Sequence, residues 1–274
     1  MISVSKKNIE KFKKEGIYKS KKLNIRSFKV YGDGALGSRG AVLKSPYCDD
    51  PHNYGILRTS AEDLKFYAKE IAEMGFQMNT HAIGDSTVSV LLNEYKKILK
   101  DIDDPRWRIE HSQVVDINEF ELYNEKILPS IQPTHATSDM YWAYDRLGSR
   151  IKGAYAFKDL LNSSGRVALG TDFPVEKVNP FHTFYSSVER KDLNGYPENG
   201  FQMENSLTRE ETLKGMTIWG AYFNFEEHEK GSLEVGKSAD FIVLNQNIME
   251  VEADLIPNTE VIQTYIDGEL VYSK

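Results

Sequence analysis

Apolar positions along this chain switch repeatedly between a spacing near two, which suits a strand, and a spacing of three to four, which suits one face of a helix. Residues 6–15 (KKNIEKFKKE) predict a short polar helix closed by Gly16. Residues 25–31 (IRSFKVY) predict a strand, and a loop containing glycine and proline runs from Gly32 to about Thr59. Ser60 then reads as a helix N-cap, with Glu62 and Asp63 in the first turn, where acidic side chains meet the positive end of the helix dipole. Leu64, Ala68, Ile71, Ala72 and Met74 give that helix its apolar face, and Gly75 closes it. The alternation continues with a strand at 76–82 and a helix at 86–99, whose Val88, Leu91, Leu92 and Tyr95 share one face. A strand at 107–112, a helix at 116–125, a strand at 127–132, a helix at 150–162, a strand at 166–171 and a helix near 208–223 follow. Five strands separated by helices predict βα units and a parallel sheet, hence the α/β class.

Beyond residue 225 the texture changes. Residues 231–237 are rich in turn formers, and 240–244 (DFIVL) and 261–266 (VIQTYI) read as strands. Asp267-Gly268 is a hairpin turn leading into a strand at 269–272. The expected organisation is an α/β portion over residues 1–225 and a small all-β portion over residues 226–274.

The 274 residues carry a formal net charge of −7, with 40% hydrophobic and 27% charged residues, as in a globular protein. The negative balance argues against nucleic acid as a main partner. The lysines of residues 6–22 are a local exception and read as a solvated helix and loop. The single cysteine, Cys48, excludes an intrachain disulfide and lies in a polar stretch with no basic sequence neighbour, so it reads as incidental. No apolar run approaches a membrane span, and the first residues lack signal-peptide character. No membrane partner is expected, and the cytoplasm is the expected location.

Four short segments carry the candidate chemistry: FKVY with Lys29, NTHA with His81, IEHS with His111 and LGTD with Asp172. Each puts its functional residue at or near the end of a strand-like run. In an α/β barrel all strands present their C-terminal ends to one face, so such residues converge there. Two imidazoles, a carboxylate and a lysine able to become a carbamate are a reasonable donor set for a divalent ion. Singly each is weak: a lone strand-end histidine is more often structural, the lysine could lie at the surface, and the aspartate could cap its loop. Gly32-Asp33-Gly34-Ala35-Leu36-Gly37 also matches G-x-G-x-x-G after a strand. A nucleotide-binding oxidoreductase would need a helix opening at Gly37, and residues 38–47 are too broken for one. A flexible glycine-rich active-site loop is the plainer reading.

Six stretches together resemble the amidohydrolase superfamily, in the family 3 branch that includes N-substituted formamide deformylase and many metal-dependent hydrolases. They are 29–39 (KVYGDGALGSR), 81–85 (HAIGD), 108–113 (RIEHSQ), 132–135 (QPTH), 170–175 (GTDFPV) and 231–240 (GSLEVGKSAD). The resemblance implies a (β/α)8 barrel, of which this chain supplies about strands 4–8, with a small C-terminal β-sandwich piece. It also implies roles. Lys29 is a carboxylated lysine bridging two metals, His81 and His111 are ligands of the second metal, and Asp172 binds the first and shuttles a proton. Arg39, His135 and Asp139 are substrate-binding residues. Independently of the resemblance, Arg39, Tyr141, Trp142, Tyr144 and Arg146 fall on loops after their strands and are expected near the pocket mouth, suited to an aromatic or anionic group. The implied cofactor is a divalent metal, zinc above all, and the implied reaction is hydrolysis of a carbon–nitrogen bond in a small, non-peptide amide through a metal-activated water. A carbamate forms only on a neutral amine, so Lys29 would need a depressed pKa, which burial provides.

The chain departs from that family in one respect. The His-x-His pair of the first barrel strand is absent: no two of His52, His81, His111, His135, His182 and His228 stand two residues apart. Five strands cannot close the barrel, so the strands at 25 and 166 are expected to present open edges. A gene fragment, a complementary N-terminal chain and self-association into a homo-oligomer are three ways to account for this. The expectation for the chain alone is at most one weakly held metal and little activity. The alternative is a non-catalytic or complementation-dependent half of such an enzyme.

Overall fold

The computed structural model describes all 274 residues. By contact density the chain divides into two compact units, residues 1–130 with 141–165 and residues 131–140 with 166–274.

In the first unit β1 (Ile2–Ser3), β4 (Ser27–Tyr31), β5 (Gln77–Ala82), β6 (Trp107–His111) and β7 (Ile127–Ile131) form a parallel sheet in that order. A separate hairpin joins β2 (Tyr18–Ser20) to β3 (Leu23–Ile25). The strand expected at 25–31 is thus two elements, with the break at Arg26. Helices α1 (Lys6–Glu15), α2 (Ala61–Glu73) and α3 (Asp85–Ile98) match their expected spans closely. Ser5 and Ser60 cap α1 and α2, accepting the Asn8 and Asp63 amides at 3.1 Å.

One sheet face is apolar: Phe28, Val30, Met78, Ala82, Trp107 and Ile109 are buried there. Phe12 of α1 stands 6.1 Å from both Phe28 and Phe76, and Tyr95 of α3 meets Trp107 edge-on at 4.8 Å. The Tyr95 and Thr80 hydroxyls share a buried 2.6 Å hydrogen bond. The opposite face is polar and builds the site described below.

Three expectations are corrected in this unit. The β4 edge is not bare, because β1 pairs with it and the Val4 amide donates to the Lys29 carbonyl at 3.0 Å. Residues 116–125 form only a 3-10 turn at Phe120–Leu122. The Asp116 carboxylate accepts the Asn118 amide at 3.0 Å, and Lys44 draws out both Asp116 (2.8 Å) and Glu119 (3.0 Å), local bonds that compete with a helix. The helix expected at 150–162 begins only at α6 (Phe157–Ser164), after α5 (Ala143–Leu147) and a 3-10 stretch at Gly148–Gly153.

The second unit starts at Ile131, whose carbonyl accepts the Gly170 amide at 3.0 Å just after β8 (Ala168–Leu169). It contains α4 (Pro133–Asp139), α7 (Pro180–Glu189), α8 (Arg209–Met216) and α9 (Ile218–Phe223). The single helix expected near 208–223 breaks at Thr217, whose φ of −126° and ψ of −96° are not helical. Phe181, Phe184, Tyr185, Ile248 and Ile256 form a core here. The chain ends in an antiparallel sheet of β9 (Phe241–Leu244), β10 (Val261–Ile266) and β11 (Glu269–Ser273), with Asp267 and Gly268 both at positive φ in the expected turn. The architecture is α/β, helices flanking a parallel sheet, with a small antiparallel sheet at the C-terminal end. No helix is long and apolar enough to cross a membrane.

Candidate metal centre

Residues paired across parallel strands share a face. The register therefore lays out two polar rows on the first unit's inner face: Lys29, Asn79 and Arg108, then Tyr31, His81, Glu110 and Ser130. Alternation alone puts His81 and Lys29 on the same face of neighbouring strands.

His111 does not follow from alternation. It pairs with Ala82, so a regular strand would turn it to the apolar face with Ile109. Instead His111 and Ser112 both adopt left-handed backbone, at φ of 75° and 43°. Such conformations cost non-glycine residues of order 1–3 kcal/mol and persist only when neighbours hold them. The holders are visible: the Tyr123 hydroxyl donates to Ser112 Oγ at 2.9 Å, and Ser112 Oγ donates to the Ile109 carbonyl at 3.0 Å. The result brings the His111 ring edge-on to His81, with centroids 4.5 Å apart.

The glycine-rich loop after β4 is built around Asp33, a residue that sequence reading passed over. Its carboxylate accepts the backbone amides of Val42 (3.0 Å), Ile83 (3.0 Å) and Gly84 (2.9 Å). Burial pushes the Asp33 carboxyl up, and those amides oppose the shift. The glycines serve close backbone approach: a Cβ on Gly32 would lie 2.9 Å from the His81 carbonyl oxygen, and one on Gly37 would press on the Trp142 ring at 3.3 Å. No helix opens after Gly37, so the loop lacks the dinucleotide cradle. Tyr31, Asp33, Arg58, Tyr67 and His81 border a cleft of about 690 Å³ beside this loop.

Glu110 is the other residue missed. Burial acts to raise its carboxyl, but Arg108, Lys29 and a hydrogen bond from Ser130 outweigh it and hold the group below the usual range. Arg108 Nε lies 3.1 Å from Glu110 Oε1. The signal for Glu110 was its place one residue before His111, on the face that alternation gives to His81. Lys29 Nζ also sits 5.4 Å from the Tyr31 ring centroid, a cation–π distance.

The remaining predicted residues lie elsewhere. Arg39 binds Asp49 with two hydrogen bonds, at 3.0 and 2.8 Å, and Arg146 binds the same carboxylate. In the second unit His135 is buried on α4; burial pushes its imidazole down, while Glu176 and Asp172 pull it up. Asp172 is exposed, with left-handed backbone at φ 55°, and Asp139 closes α4. No three His, Cys, Asp or Glu side chains come together as a metal cage. The donors of the histidine pair nonetheless fit a divalent ion: two imidazoles in ring contact, at the ends of adjacent strands.

The parallel α/β sheet flanked by helices is the architecture of metal-dependent hydrolases. The pattern of the Amidohydrolase family matches residues 1–272, and the chain belongs to that family. It is 33% identical over 252 residues to YtcJ of Bacillus subtilis (strain 168), provisionally named an amidohydrolase, covering 90% of this chain and 47% of YtcJ. It is 21% identical over 257 residues to the N-substituted formamide deformylase of Arthrobacter pascens, covering 86% and 46%. An uncharacterized metal-dependent hydrolase from Pyrococcus horikoshii OT3 superposes with a TM-score of 0.79 at 28% identity, covering 90% of this chain and 50% of that one. The chain spans about half the length of the curated relatives it matches.

Proposed function

We propose that this chain carries the histidine-pair half of a metal-dependent hydrolase that cleaves carbon–nitrogen bonds in small, non-peptide amides, and that it works in the cytoplasm. The observation that carries this reading is the His81–His111 contact at 4.5 Å, beside the polar sheet face that bears Lys29 and Glu110, in a chain of the amidohydrolase family. His81 and His111 would donate nitrogen lone pairs to a divalent ion, zinc first among candidates, and Lys29 as a carbamate would add an anionic oxygen donor. When bound, such an ion lowers the pKa of water towards neutrality and polarises a substrate carbonyl. Asp172 takes the proton of the attacking water and returns it to the leaving amine. His135, Asp139 and Arg39 contact the substrate; for Arg39 that requires exchange of its bond to Asp49.

The test is metal content per chain, by elemental analysis, of wild type and a His81→Ala/His111→Ala double variant, each incubated with zinc and desalted. The expected result is zinc retained by wild type, at up to one ion per chain, and lost from the variant. Equal content in the two proteins would sink the reading. A second reading, a non-catalytic or complementation-dependent half, is favoured by the lack of any His-x-His pair in the sequence.

A further inference from the structure

We propose that Asp33 is a positioning residue that fixes the tautomer of His81, keeping the proton on Nε2 and the lone pair on Nδ1. This deepens the proposed function and rests on His81 being a metal donor.

The geometry is specific to this pair. Asp33 Oδ1 lies 3.7 Å from His81 Nε2, and the Asp33 side chain is wholly buried, with the imidazole 15% exposed. That distance exceeds a hydrogen bond. Charge interactions fall only as the inverse of distance, however, and are weakly screened inside a protein. A neutral imidazole holds one proton on one of two nitrogens, and a carboxylate facing Nε2 favours the proton there. The lone pair then remains on Nδ1, the one nitrogen left to bind an ion. Carboxylates behind metal-binding histidines act in this way generally.

Asp33 is also held too firmly to move aside. Its three backbone amide bonds come from two different loops, at Val42 and at Ile83-Gly84. Gly32 donates its own amide to the His81 carbonyl at 2.8 Å, and the Ser86 amide donates to the Val42 carbonyl at 3.1 Å. The carboxylate thus sits at a fixed offset from the strand that carries His81. The sequence G-D-G serves this arrangement: Gly32 allows the approach to His81, and Gly34 packs on Gly40, where a Cβ would lie 3.0 Å from the Gly40 Cα.

The test uses imidazole ¹⁵N chemical shifts of the metal-free protein, with His81 assigned by its loss in His81→Ala. In wild type the His81 proton is expected on Nε2. In Asp33→Asn the signal is expected to move to the other tautomer or a mixture, and zinc affinity, read by chelator competition, to fall roughly 10–100-fold. A wild-type His81 protonated on Nδ1 overturns the proposal and needs no variant, so it stands even if Asp33→Asn fails to fold. A folded Asp33→Asn with an unchanged tautomer overturns it too. Zinc affinity unchanged in His81→Ala, with wild-type His81 protonated on Nε2 and its tautomer shifted in Asp33→Asn, supports the positioning role of Asp33 and removes the metal reading instead.

Discussion

Asp49 joins two arginines far apart in sequence: Arg39, in the loop after β4, binds it through two hydrogen bonds, and Arg146 of α5 binds the same Oδ2 that Arg39 Nη2 reaches. The Arg39 hydrogen bonds, with the Arg146 charge, hold the Asp49 carboxyl below its usual range despite some burial. A carboxyl with a depressed folded-state pKa contributes its full stability above the unfolded value, near pH 4, and loses it as pH falls through the lower folded value. Asp49→Asn is therefore expected to lower stability at pH 7 by roughly 0.2–1 kcal/mol, since the cluster is partly solvated. Thermal melts should show that difference shrinking below pH 4; a difference that persisted undiminished under strong acid would mean that Asp49 acts through packing. The nearby Cys48 shows how such contacts escape a linear reading: it has no basic neighbour in sequence, yet Arg150 Nη2 lies 3.7 Å from its Sγ. His81 and Lys29 were legible because strand alternation is local. The seating of His111 was not, because it depends on left-handed backbone at two residues held by Tyr123.

At the level of elements, the seam between α3 and the sheet is held by Tyr95, which packs on Trp107 and hydrogen-bonds Thr80. Burial pushes the Tyr95 hydroxyl up, so it stays protonated and able to share that bond across ordinary pH. Tyr95→Phe keeps the ring contact and leaves the buried Thr80 hydroxyl without this partner, a loss of about 1–2 kcal/mol. Denaturant unfolding of Tyr95→Phe and of Tyr95→Phe/Thr80→Val would check this, the double variant recovering part of the loss. No recovery would mean that the hydroxyl pair contributes little. The elements most readily read were those, like α3, with an unbroken apolar face. The Ser60 start signal also held, whereas the Thr208/Glu211 capping box that opens α8 passed unread. Elements that depend on distant partners were missed. β1 is only two residues long and exists because β4 offers an edge, and α7 starts with an Asn179-Pro180 cap whose signal passed unread.

For the molecule as a whole, the polar face of the first unit's sheet keeps a buried group unsatisfied. Asn79 is fully buried, yet neither side-chain amide atom makes a hydrogen bond. It lies between Lys29 and Arg108, one layer below His81. A buried amide left so costs about 1–3 kcal/mol. In the relatives about half of the protein lies outside the match, and the His-x-His pair that the family resemblance implies for a first metal has no counterpart in these 274 residues. Mixing this chain with the part of a full-length relative that carries the His-x-His strand is therefore expected to raise zinc binding from at most one ion per chain to two. Amide hydrolysis should rise with it by orders of magnitude, since a second ion and its ligands would complete the donor set. Zinc stoichiometry and turnover that stay flat on mixing, with both polypeptides folded, would mean that this chain is not a complementable half and that its histidine pair serves it alone.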